Sequence, residues 1–457
     1  MKPNTILQRM VVMLITLMCA LGANAAEAYA CYTSSDNTLT FYYDDLRSTR
    51  EGTTYDLYPD KTSPGWYKDG TYEDVTKVVF DPSFADARPT TTYSWFYRMM
   101  SLQTIEGLRY LNTSEVTTME EMFFGCTCFT SLDLSSFNTS KVTNMDAMFM
   151  WNRDLQTIYV GSGWSTAAVT KSEDMFFECR SLEGSQGTTY DYTLTDKTYA
   201  HIDGGTENPG YLTRGSEAYA VYNNATLTFY YDNQLDSHTG VYYLKTEAVA
   251  PGWFSDNTNA NVTQVVFDPS FAKARPSTTY CWFSRMGNLQ TITNIGFLNT
   301  SEVISFASMF ASCKSLTYLD LSHFNTGMAT DMRAMFSNCE NLQTIYVGDG
   351  WTTGNVTDTY SLLMFNKCNS LVGGQGTTWK DTNPSDVTYA RIDEGTSKPG
   401  YFTYKNLPGI STGVAPQVTS DKSQVTSESW YTIDGRKLNG VPTKKGIYIH
   451  NGRAVVH

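Results

Sequence analysis

The chain has 457 residues, of which 41% are hydrophobic and only 17% charged. That composition supplies sizeable cores and excludes general disorder. The net charge of -13 argues against nucleic acid or anionic lipid as a partner, because both need a positive field.

In chain order, residues 1–26 read as a signal peptide. Lys2 and Arg9 give a positive start, Met10 to Gly22 is apolar, and Ala23-Asn24-Ala25 fits a small-x-small cleavage site. The apolar run is too short for an ordinary spanning helix, and no later stretch approaches the length of one. No transmembrane segment is therefore expected in the mature chain. Without Lys2 and Arg9 there are 31 basic against 46 acidic residues, a net charge of -15.

Internal repeats dominate the mature chain. Thr38-Leu39-Thr40-Phe41-Tyr42-Tyr43-Asp44 returns from Thr226 to Asp232. Val78 to Phe84 returns from Val265 to Phe271, and Pro209-Gly210-Tyr211 returns as Pro399-Gly400-Tyr401. The mature chain thus reads as a duplicated module, 27–214 and 215–404. A shorter period runs inside each copy. It places Phe96, Phe123, Phe149 and Phe176 at spacings of 27, 26 and 27, and Phe283, Phe310, Phe336 and Phe365 at 27, 26 and 29. Three residues after the Phe stands Cys126, Cys179, Cys313, Cys339 or Cys368, with Met99, Asn152 and Met286 in the remaining copies.

Each unit reads as a short strand followed by a short helix. Leu132-Asp133-Leu134 and Leu319-Asp320-Leu321 alternate as half-buried strands do. Val116, Met119, Met122 and Phe123 are spaced like one apolar helix face, and Thr117 with Glu120 resembles a capping box. One unit cannot bury both faces alone, so the units should stack as a solenoid. Asn112, Asn138, Asn299 and Asn325 follow the strands and are expected to be buried, closing the turns.

The run from Asn138 to Phe149, with Met309-Phe310-Ala311-Ser312-Cys313-Lys314-Ser315-Leu316 and Leu319-Asp320-Leu321-Ser322, resembles the repeat of bacterial BspA-like leucine-rich-repeat surface proteins. The resemblance covers most of 95–185 and 282–374. It implies an exported cell-surface protein of adhesin-like type, and it brings no catalytic residues. The expected fold class is an α/β repeat: two tandem leucine-rich-repeat-like solenoid modules of short parallel strands plus short helices, with strand-rich caps and a small C-terminal β tail. The caps are assigned to 28–94 and 218–281, the repeats to 95–185 and 282–374, and the closing caps to 186–214 and 375–404. Residues 405–428 read as a flexible linker. The basic stretch 429–457 resembles Bacteroidetes type IX sorting tails, and its Asn451-Gly452 predicts a hairpin turn.

No catalytic constellation emerges. The five His residues read as surface residues and not catalytic bases: Arg391 stands at the place of His201 and Ser136 at that of His323, His238 lies in a variable loop, and His450 and His457 lie in the tail. Cys126-Thr127-Cys128 lacks zinc-site spacing, and the repeat cysteines read as small buried apolar residues, with a disulfide between neighbouring rungs left open. Glu106 and Asp133 are expected about 5 Å apart on adjacent strands, where a weak calcium site is conceivable but a solvated face is the plainer reading. No metal and no cofactor is expected. The outward strand positions Glu106, Asp133, Tyr159, Tyr318, Asp320 and Tyr346 form the candidate ligand-binding face. They favour a non-catalytic binding protein for a protein or glycan ligand, with no nucleic acid partner. A structural envelope spacer and a glycan-active hydrolase are the alternatives.

Overall fold

The computed structural model describes residues 25–244, 248–405, 430–432, 447–450 and 453–456. They fall into two compact units, one running to Glu217 and the other from Ala218, with Asp232–Gln234 grouped with the first. Residues 1–24 of the expected signal peptide, the expected linker beyond Lys405 and the expected hairpin turn at Asn451-Gly452 lie outside the described residues.

The first unit holds β1 (Glu27–Thr33), β2 (Thr38–Asp44), β3 (Thr53–Asp56), β4 (Lys77–Phe80), β5 (Thr104–Glu106), β6 (Ser131–Leu134), β7 (Thr157–Val160) and β8 (Leu212–Arg214). Its first sheet has the order β3-β1-β2-β4-β5, antiparallel where the cap begins and parallel from β2 to β5. A second, parallel sheet is β6-β7-β8. The second unit holds β9 (Glu217–Asn223), β10 (Thr226–Asp232), β11 (Val241–Tyr243), β12 (Gln264–Phe267), β13 (Thr291–Thr293), β14 (Tyr318–Leu321), β15 (Thr344–Val347) and β16 (Phe402–Tyr404). Its sheets are β11-β9-β10-β12-β13 and the parallel β14-β15-β16. Three short antiparallel strands follow: β17 (Trp430–Thr432), β18 (Ile447–His450) and β19 (Arg453–Val456).

The expected short helices do not form. Among the described residues the α-helices are two four-residue turns in the opening caps, Gly65–Lys68 and Gly252–Ser255. The segments with helical spacing are instead flat turns hydrogen-bonded to the next rung. Met119, Glu121, Phe123 and Gly125 donate their N–H groups to the carbonyls of Asn144, Asp146, Met148 and Met150, at 2.8–3.0 Å. The intervening N–H groups close turns within the rung, Met122 to Met119 and Phe124 to Glu121. Aiming alternate N–H groups the same way requires left-handed backbone two residues before and two after each Phe: Glu121 and Gly125, Ala147 and Trp151, Asp174 and Glu178, Ser308 and Ser312. A left-handed non-glycine residue costs about 1–2 kcal/mol, and the inter-rung bonds offset it. The buried stripe Val116, Met119, Met122, Phe123 is real, but turns, not a helix, carry it inward. Thr117, expected to cap a helix, also acts between rungs: it donates its hydroxyl to the Thr90 carbonyl, as Thr170 does to the Thr143 carbonyl.

The core of each unit is a column of rings. Phe96, Phe123, Phe149 and Phe176 follow one another at 5.3, 5.9 and 5.6 Å between centroids; Phe283, Phe310, Phe336 and Phe365 at 5.4, 5.8 and 5.6 Å. All are fully buried, each worth on the order of 2 kcal/mol in area removed from water. Tyr211 and Tyr401 close the columns edge-on against Phe176 and Phe365.

The repeat cysteines are free thiols with a polar task as well as an apolar one. Cys313, Cys339 and Cys368 donate to the carbonyls of Phe283, Phe310 and Phe336, one rung back, each at 3.0 Å. The last carbonyl of that series, on Phe365, accepts the Trp379 indole N–H at 2.8 Å. In the first unit Cys126 and Cys179 serve Phe96 and Phe149, while the Asn152 amide bridges Phe123 and Phe149. Met99 and Met286 occupy this position in the opening rungs, where no Phe of the series precedes them.

The turn asparagines are not buried as expected. Asn138 and Asn325 are exposed, and each closes its own turn by accepting the N–H two residues on. The buried residue is the threonine that follows. Thr139 and Thr326 bond reciprocally with the next rung, donating to the carbonyls of Ser165 and Thr352 and accepting their N–H groups.

Candidate functional site

The outward positions are built by strand alternation. In β6–β8 the residues Leu132, Ile158 and Leu212 point inward as one register row, and Asp133, Tyr159 and Thr213 form the next row outward. In β14–β16 the matching outward row is Asp320, Tyr346 and Thr403. Tyr318, two residues before Asp320 on the same face of β14, is 59% exposed. The structure therefore brings Asp133 beside Tyr159, and Asp320 beside Tyr346 and near Tyr318.

Glu106 does not join them. It ends β5, whose partner is β4, and β6 belongs to the other sheet. The expected neighbourhood of Glu106 and Asp133 in one sheet is thus corrected. The chain leaves β5 through left-handed Gly107, packed so tightly on the Phe80 carbonyl that a Cβ would lie 2.3 Å from it. Glu106 pairs with Lys77 at 2.9 Å. The calcium idea loses its geometry with this correction, and among the described residues no group of three or more His, Cys, Asp and Glu is placed to hold a metal ion.

The two Asp–Tyr rows differ in what sits over them. Asp320 accepts the N–H and hydroxyl of Ser322, and also the Lys405 ammonium, which lies 5.7 Å from the Tyr346 ring centroid. Burial alone would raise the Asp320 carboxyl; Lys405 and Ser322 outweigh it and hold it below the usual carboxylate range. Lys405 was expected to begin the flexible linker, yet its N–H bonds to the Val347 carbonyl at 2.9 Å and fixes it to the body. At the matching place in the first unit stands Gly215, whose N–H bonds to Val160. Asp133 is exposed there and, among the described residues, accepts from Ser135, at 3.0 Å from N and 2.5 Å from the hydroxyl.

Sequence reasoning also missed two buried carboxylates in the closing caps. Asp203 accepts N–H groups from Gln186, Thr188 and Gly205 and the Thr188 hydroxyl; Asp393 does the same with Gln375, Thr377 and Gly395. Burial pushes each upward, but these donors outweigh it and hold both at about 2. The occurrence of Ile-Asp-x-Gly in both copies was the available hint.

The buried repeat thiols are poor nucleophiles. Burial pushes Cys179 and Cys339 up to about 12 and Cys126 and Cys313 higher, so they carry almost no thiolate at neutral pH. His201 contacts the Ile202 carbonyl, and His238 packs on Tyr219 and Tyr230. A shallow hollow in the first cap, lined by Asp56, Tyr58, Asp60, Trp66 and Tyr93, carries carboxylates already engaged with Arg47 and Thr62. No described helix is long and apolar enough to cross a membrane.

None of the curated proteins compared with the chain matches it. Among solved structures, it is similar to a leucine-rich repeat protein from Eubacterium ventriosum, at 15% identity over 86% of this chain and 97% of the other, with a TM-score of 0.21. It is also similar to one from Bacteroides ovatus, at 14% identity over 76% and 92%, with a TM-score of 0.19. Residues 90–202 and 280–390, which contain the stacked rungs of both units, match the family described as "Mycoplasma protein of unknown function, DUF285".

Proposed function

We propose that this chain is an exported cell-surface protein whose two tandem leucine-rich-repeat-like solenoid modules bind a protein or glycan ligand without catalysis. The observation that carries the reading is the pair of outward rows, Asp133–Tyr159 and Asp320–Tyr346 with Tyr318, set side by side on parallel strands. Tyrosine offers contact area and a polar handle at little entropic cost, and a stack of rungs holds such residues rigidly. The basic tail is proposed to direct type IX export and surface attachment.

Pull-down of host matrix proteins and a glycan array with the mature chain test the binding reading. A ligand whose capture falls at least tenfold when Tyr159, Tyr318 and Tyr346 are changed to Ser supports it. No ligand from either screen, with cell adhesion unchanged by the three substitutions, overturns it in favour of an envelope spacer. Removal of 429–457 should leave the protein inside the outer membrane; undiminished surface display refutes the sorting role.

A further inference from the structure

In the second unit the Asp–Tyr row is already occupied. Lys405 reaches back over β15, its ammonium bonded to Asp320 and close to the Tyr346 ring. A cation beside a carboxylate and near an aromatic ring gains from both. The first unit has the same two residue types in the same register, Asp133 opposite Tyr159. The position that matches Lys405 supplies no cation: Gly215 has no side chain, and a Cβ there would lie 1.8 Å from the Ser135 hydroxyl and 3.2 Å from the Tyr159 Cβ. Asp133 stays exposed, with its hydrogen bonds from Ser135 made at Oδ1 alone.

We infer that the Asp133–Tyr159 row is a receptor for an exposed lysine side chain of a protein partner, which takes the place that Lys405 takes on Asp320 and Tyr346. This rests on the reading of the strand rows as a binding face, and it names the chemistry of one of them. The acidic balance of the chain favours the same sign of partner. Lys405 serves as the template: it shows, within this molecule, that an ammonium on a flexible stem fits over this pair of side chains.

Saturation-transfer NMR on the mature chain tests it, with N-acetyl-lysine methylamide as probe at about 0.15 M salt, where distant charges are screened. The ε-methylene protons should receive saturation. Asp133→Asn should cut it about fivefold, the upper range for one exposed ion pair, with an unchanged thermal melt. Lys405→Ala should raise it, by uncovering Asp320 and Tyr346. The Nε-acetylated probe, which has no charge, should receive little. Saturation indifferent to Asp133→Asn, equal saturation of the acetylated probe, or no gain in Lys405→Ala each overturns the inference. A ligand found by pull-down that needs Tyr159 but not Asp133 would leave the binding face standing and remove only the lysine assignment.

Discussion

The Cys339 thiol donates to the Phe310 backbone carbonyl, one rung earlier, at 3.0 Å. The same carbonyl accepts the Cys313 N–H at 3.1 Å, so the thiol serves its second lone pair, beside the buried ring column. Cys339→Ala removes the donor and leaves a small void, so it should lower unfolding stability by about 2 kcal/mol. Cys339→Ser keeps a donor and should cost less than Ala, which urea melts of the three proteins would show. Equal losses would mean that the thiol acts only by filling space.

The same burial governs reactivity. Cys128 is the exposed thiol among the described cysteines, and the rest are buried. A thiol reagent at neutral pH should modify Cys128 quickly in the folded protein and the others only on unfolding. Fast modification of Cys313 or Cys339 in the native state would contradict the packing of the rungs.

Ala147 separates the turn ladder from the helix that the periodicity suggests. Its φ of 51° lies in the left-handed region, where glycine is at ease. Ala147→Gly should therefore raise stability, by about 0.5–1 kcal/mol. In a helix the same change would lower it by about as much. The sign of the shift in a thermal melt decides between them.

Asp203 and Asp393 tie acid stability to the closing caps. Both are held at about 2 in the folded protein against an ordinary 3.8. A depressed pKa contributes stability that is present above the unfolded value and is lost as pH falls through the folded one. Each should contribute on the order of 2 kcal/mol at neutral pH, lost between about pH 4 and pH 2. Asp203→Asn should destabilise at pH 7 and flatten the acid limb of the stability profile. An unchanged acid limb in the double Asn variant would show that these carboxylates are not the groups responsible.

Thr326 donates to the Thr352 carbonyl at 2.6 Å and accepts the Thr352 N–H at 2.7 Å. Thr326→Val keeps the shape and orphans both backbone groups, so about 2 kcal/mol should be lost. Asn325→Ala, at the exposed neighbour, should cost less than half of that in the same assay.

Much of the architecture was legible in the residues. The Phe period set the rungs, and the alternation in Leu132-Asp133-Leu134 and Thr157-Ile158-Tyr159-Val160 placed β6 and β7 with the right side chains outward. That information is local: a period-2 pattern with one buried face fixes both the strand and its sides. The pairing of Asp133 with Tyr159 came from the sheet register, since the same repeat spacing also suggested Glu106 beside Asp133.

Other features depended on partners one rung away, which no local window contains. Helical spacing of Val116, Met119, Met122 and Phe123 is equally served by successive turns; the carbonyls of Asn144 to Met150 decided the matter by taking the N–H groups a helix would use. Non-glycine residues at the left-handed positions hid that backbone, since Gly125 alone among the repeats announces it. Cys339 looked like a small apolar filler because its acceptor, the Phe310 carbonyl, is invisible in sequence. Asn138 and Thr139 exchanged roles for the same reason. Tertiary structure also decided that Lys405 covers Asp320 while Gly215 leaves Asp133 open. A side chain's reach across a sheet depends on where the strand ends in space, and only the fold sets that.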